Sequence, residues 1–98
     1  MSDQPRTMQR DPAEAAIRAA EHRLHFIETE LEVAFIFLAA AKTTQLTHIR
    51  ERNIRAARTA RDEVKHLLAQ GYAERQRTSI ESSLAMLETR LIEQGSLS

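Results

Sequence analysis

Leu31-Glu32-Val33-Ala34-Phe35-Ile36-Phe37-Leu38-Ala39-Ala40-Ala41 decides the fold, because Glu32 is the only polar side chain in it while the rest of the chain is rich in charge. As a helix these residues span about 16 Å, roughly half of a bilayer's hydrocarbon core, so the stretch points to deep burial rather than to a membrane span. At helical pitch it divides. Leu31, Ala34, Leu38 and Ala41 continue a seam that begins at Ile17, Ala20, Leu24 and Ile27, with spacings that alternate between three and four. Phe26, Val33, Phe37 and Ala40 gather almost opposite, with Ile36 beside them, and Arg23 and Glu30 separate the two faces along one edge.

The rest of the chain frames that helix. Only two glycines and two prolines occur in 98 residues, too few for sheets and long loops, and Ala, Leu, Glu, Arg and Gln dominate. The fold class expected is all-α, and the length that of one domain. Asp11, Pro12 and Glu14 stand in the order of a capping side chain, a first-turn proline and an acidic third position, which opens the first helix at about 12 and leaves 1-10 as a flexible arm. Prolonging the seam past Ala41 would bury Gln45, His48, Arg52 and Arg55. The first helix therefore stops near 43, with Lys42 to Thr47 as the turn and Thr44 or Thr47 as the next cap.

A second helix is expected over about 47-70, with Ile49, Asn53, Ala56, Ala57, Ala60, Val64, Leu67 and Leu68 inward and Gly71 as its left-handed stop. The third covers about 73-94, carrying Ile80, Leu84, Leu87 and Leu91, until Gly95 ends it and 96-98 trail off. Thr78 with Glu81 marks an alternative, later start. Short connections make this an up-down-up antiparallel three-helix bundle whose first helix is longest and overhangs its partner around 12-19, leaving Ile17 underused. The run of small residues at Ala56, Ala57 and Ala60 leaves room for Phe35 or Leu38. Asn53 among them, an amide of the kind that fixes register or orientation in bundles, reads as a capping or backbone contact to the turn between the first two helices.

The sequence names no activity. It holds no cysteine, which removes disulfides, thiolate metal sites and thiol nucleophiles together and fits a cytoplasmic setting. Residues 1-10 lack the apolar core of a signal peptide. Ser79, Ser82 and Ser83 have no paired base, Tyr72 stands alone, and there is no glycine-rich phosphate loop, so the expectation is a protein that is not an enzyme and takes no cofactor or small-molecule substrate. Glu63-x-x-His66 has the spacing with which one helical turn presents two metal ligands, but such sites need a second copy of the motif and two further inward glutamates, and neither His22 with His25 nor the acids of the first helix supplies them. No metal is expected.

Two surfaces remain. The stripe of Phe26, Val33, Ile36, Phe37 and Ala40 is covered either by the third helix or by another chain, and the reading favoured is an interface with a second copy or another helical protein. The alternative is a small regulatory module that binds an acidic partner or nucleic acid through Arg55, Arg58, Arg61 and Lys65. For nucleic acid, a net charge of zero and the want of interleaved aromatics argue against it. Opposite charge on neighbouring helices explains these arginines as well. In architecture alone the hairpin of small residues against aromatics resembles tetratricopeptide-type and other short helical interaction modules, but it shows no repeat of about 34 residues and lacks their tryptophan. That likeness transfers no functional residue.

Overall fold

The computed structural model describes residues 11 to 95, and the arm and tail expected at 1-10 and 96-98 lie outside them. Three helices follow in order: α1 over Pro12–Thr43, α2 over Thr47–Ala69 and α3 over Arg77–Glu93, with a single 3-10 turn at Glu74–Gln76 before the last. The described residues are all-α, and α1 is the longest helix. No described helix is long and apolar enough to cross a membrane.

Asp11 caps α1 by accepting the Ala13 N–H at 3.3 Å, with Pro12 in the first turn where its missing donor costs nothing. Neither expected threonine caps α2. Its cap position is Leu46, and the Thr44 hydroxyl instead accepts the Leu46 N–H at 3.2 Å, which folds the three-residue connection. At the far end Gly71, at φ +91°, completes a Schellman stop: its N–H donates to the Leu68 carbonyl and that of Tyr72 to the Leu67 carbonyl. The third helix begins later than its apolar pattern suggests, because Ala73 sits in the left-handed region at φ +60° and the chain makes the 3-10 turn before α3.

The core is the seam. Ile27, Leu31, Ala34, Leu38 and Ala41 of α1 are buried against Ile54, Ala57, Ala60, Val64 and Leu68 of α2 and Ile80, Leu84, Leu87 and Leu91 of α3. All are aliphatic, each large one contributing about 2 kcal/mol by leaving water, and no polar residue is buried among the described ones. Ile17 is 61% exposed, as the overhang requires, and Leu24 is where the seam begins to be covered. On α2 the inward line differs from the one read in the sequence. Ile54 is buried, while Asn53, Ile49 and Ala56 are half-buried at the edge. Ile54 shares the buried line with Ala57, Ala60, Val64 and Leu68, and burying an isoleucine there costs less than burying the neighbouring amide.

Candidate functional site

Two flanks adjoin the seam of α1, and α3 takes only one. Arg90 of α3 lies over the Phe35 ring at 5.2 Å, and the Gln94 amide donates to the Leu38 carbonyl at 3.0 Å. On α2 the same side carries Lys65, paired with Glu88 of α3 at 3.1 Å. Phe35 and Phe37 stand on opposite sides of the seam, so a helix seated on Phe35 leaves the Phe37 side open. Of the five residues read as a partner interface, Phe26 is 43% exposed, Ile36 is 59% exposed and Ala40 is exposed, while Val33 and Phe37 are half-buried.

That open flank joins α1 to α2. Phe26 and Leu67 line one shallow hollow with Ala19, His22 and Arg23. One turn further along α1, and one turn back along α2, the carboxyls of Glu30 and Glu63 meet. Continuing in this antiparallel register brings Val33 level with Ala60 and Phe37 level with Ala56, and Leu38, with Phe35 and Phe37 packed at the edge, shares the core cluster with the small residues Ala57 and Ala60, as the sequence anticipates for Phe35 or Leu38. Ile49, Ala56 and Leu67 are half-buried on the α2 side of this face. The result is a two-helix surface opposite α3, apolar at both ends and acidic at its middle.

The Glu30–Glu63 contact was hidden in the sequence, where Glu30 reads as part of a solvated edge. Burial first, and then the charge of Glu63 and the hydrogen bond that a protonated Glu30 donates to it, raises the pKa of Glu30 above the usual glutamate range. Opposite charges were expected along the edges of neighbouring helices; at this register of α1 and α2 like charges meet instead. Arg23, the other edge residue, lies over the Tyr72 ring at 4.3 Å and ties α1 to the connection beyond α2.

The basic residues of α2 do not form one open face. Arg55 is exposed, but Arg58 is half-buried, the Arg61 side chain is only 13% exposed and holds Asp62 at 2.9 Å, and Lys65 is committed to Glu88. A line through these four runs toward α3, because Ile54 rather than Asn53 faces inward. A further basic depression lies where α1 and α3 end, with Lys42, Arg50 and Arg90 beside Glu93 and Gln94. Its chemistry is that of helix ends: Arg50 donates to the carbonyls of Ala41 at 3.3 Å and Thr44 at 3.0 Å, and cations are favourable at these negative termini.

His66 lies three residues beyond Glu63 and is exposed, as are His22 and His25, and no group of three or more metal-ligating side chains comes together among the described residues. Ser79 and Ser82 are exposed along α3, and Ser83 is half-buried. Comparison of the chain with family models, with curated proteins and with solved structures gives no match.

Proposed function

We propose that this protein works by association with a second copy of itself, through the α1–α2 face that α3 leaves open, rather than by catalysis. The observation that carries this is the second apolar line along α1. Phe26, Val33, Ile36 and Ala40, with Thr29 between the first two, repeat at spacings of three and four, the pattern of a helix-packing seam, and two of the large members, Phe26 and Ile36, are exposed.

A formal net charge of zero leaves no overall repulsion between copies. A two-fold pairing of this face with itself buries the apolar line of both copies at once. The two hairpins then form a four-helix layer with α3 outside. Binding of an acidic partner through α2 has less to stand on, since Arg58 and Arg61 are half-buried and Lys65, though exposed, is paired with Glu88.

Sedimentation of the full chain tests the proposal. A dimer is expected at micromolar concentration, and a Phe26→Ser, Ile36→Ser double variant should sediment as a monomer with its helical circular dichroism intact. A wild-type chain that remains monomeric at about 100 μM, corresponding to association weaker than about −5.5 kcal/mol, would overturn it.

A further inference from the structure

Two charged hollows border α3, and only one of them is balanced. In the hollow between α2 and α3, Lys65 pairs with Glu88 and Arg77 with Glu81, so two cations meet two carboxylates. The other lies at the end of the bundle, where α1 and α3 stop and α2 starts. There Lys42, Arg50 and Arg90 lie beside a single carboxylate, Glu93, and none of the three forms an ion pair among the described residues. We propose that this hollow binds the phosphate group of a phosphate monoester or diphosphate, held by Lys42, Arg50 and Arg90. None of its residues belongs to the stripe assigned above to self-association.

The helix ends do not use up this charge. Arg50 donates to the carbonyls of Ala41 and Thr44 through Nε and Nη2, and the donors of Nη1 remain for a ligand. Lys42 and Arg90 stand in the last turns of α1 and α3, where a cation is favoured. Each of those ends supplies only about half a negative charge, however, and the start of α2, which has neither a side-chain cap nor an acid in its first turn, returns about half a positive one. With Glu93 included, the hollow keeps an excess of about +1.5. A phosphate monoester brings about −1.5 to −2 at neutral pH and cancels that excess, whereas a single carboxylate leaves part of it standing.

Two of the cations are positioned in advance. The two carbonyls fix Arg50, and Arg90 lies over the Phe35 ring at 5.2 Å. Apart from a weak contact of one nitrogen with the Met86 sulfur at 3.9 Å, the planar fork of Arg90 is open to a pair of phosphate oxygens. The Gln94 amide, donating to the Leu38 carbonyl at 3.0 Å, ties the end of α3 to α1 and so holds the walls together. The hollow measures about 840 Å³ and includes Leu38 and Ala39, which leaves room beside the phosphate for an organic body.

Inorganic phosphate and pyrophosphate titrated into the full chain at low ionic strength, followed by amide chemical shifts, test the site. Pyrophosphate should bind with a Kd of about 1 mM or below, with shifts gathered at the α1–α2 turn and the end of α3. Lys42→Gln with Arg90→Gln, at two exposed positions, should weaken it at least about tenfold with helical circular dichroism intact. Arg52→Gln, on another side of α2, should change it less than about twofold. No binding by the wild type at about 10 mM, or acetate bound as tightly as pyrophosphate, overturns the proposal. So does a loss in Arg52→Gln equal to that in the double variant, which would mean a general attraction of anions to this end. Phosphatidylcholine vesicles containing phosphatidate identify the carrier of the phosphate. Co-sedimentation that the double variant abolishes assigns it to a lipid headgroup, and pyrophosphate binding without co-sedimentation assigns it to a soluble molecule.

Discussion

The Arg77 guanidinium donates to the Leu68 carbonyl at 2.6 Å, nine residues back, closing the end of α2 from the first turn of α3. Arg50 does the same for α1, reaching the Ala41 carbonyl over the same interval from the first turn of α2. α1 and α2 are thus each capped at the negative end by an arginine of the helix that follows, which ties the two helices together across the turn. Glu74 and Glu81 hold the Arg77 guanidinium from both sides at 3.1 Å.

Replacing Arg77 should therefore cost more than an exposed ion pair does. Arg77→Ala leaves a C-terminal carbonyl of α2 without its charged donor and frees the 3-10 turn, so the urea midpoint should fall clearly below that of the wild type. Arg77→Lys cannot reach Leu68 and both glutamates with one planar group and should recover less than half of that fall. An unchanged midpoint for Arg77→Ala would show that the cap adds nothing to the packing of α3.

Two isoleucines of the same seam should respond oppositely. Ile27 is fully buried where all three helices meet the core cluster, and Ile27→Ala should cost about 3 kcal/mol, lowering Tm by more than about 10 °C in a domain of this size. Ile17 occupies an equivalent place in the repeat but lies on the overhang, 61% exposed, and Ile17→Ala should change stability by less than about 0.5 kcal/mol. Thermal unfolding at low micromolar concentration measures both, and a large Ile17 effect would mean that something covers the overhang.

These two residues mark what the sequence allows and what it withholds. Periodicity placed Ile27 and Ile17 on one line, and helix lengths told them apart, because a longer helix must run past a shorter neighbour. Gly71 was equally legible, since a stop of its type depends on one backbone angle that glycine supplies. Ile54 was not. The line from Ile49 through Asn53 to Ala57 has the right spacing, and only packing shows that Ile54 is buried while Asn53 stays at the edge. The start of α3 turned on Ala73 in a left-handed conformation that its side chain does not announce. The stripe from Phe26 to Ala40 was legible as a second face, but the Glu30–Glu63 contact within it depends on the register between two helices, which no local pattern carries.

Glu30 also makes a prediction about folding that is separate from assembly. Its pKa in the folded chain is raised by burial and by Glu63, so the folded state holds the proton more tightly than the unfolded state does. The resulting contribution to stability is present in full below the unfolded-state pKa of about 4.3 and is lost as pH rises through the higher folded value. At neutral pH the carboxylate pair therefore weighs against folding. Glu30→Gln should stabilise the dilute monomer by about 0.5 kcal/mol near pH 7, and the difference should shrink toward pH 4. Glu63→Gln should give a similar gain, and the two together less than the sum, because either one removes the same repulsion.

The connection between α2 and α3 gives a last pair of substitutions with opposite signs. Gly71 has φ +91°, and a methyl group built on it would meet nothing within 4 Å, so any penalty for Gly71→Ala comes from the backbone alone. An alanine held there is disfavoured by about 1 kcal/mol, and that loss should appear in urea unfolding. Ala73 already bears such a cost at φ +60°, ψ +39°. Glycine in its place relieves about 1 kcal/mol of strain and gives back part of it through the freer unfolded chain and the loss of a half-buried methyl, for a net gain of about 0.3 kcal/mol. Destabilisation by both changes would show that the Ala73 methyl, packed against the core cluster, matters more than its backbone. Stabilisation by both would mean that α2 runs on past Gln70 once the glycine is gone, and that the Schellman stop is not what sets its end.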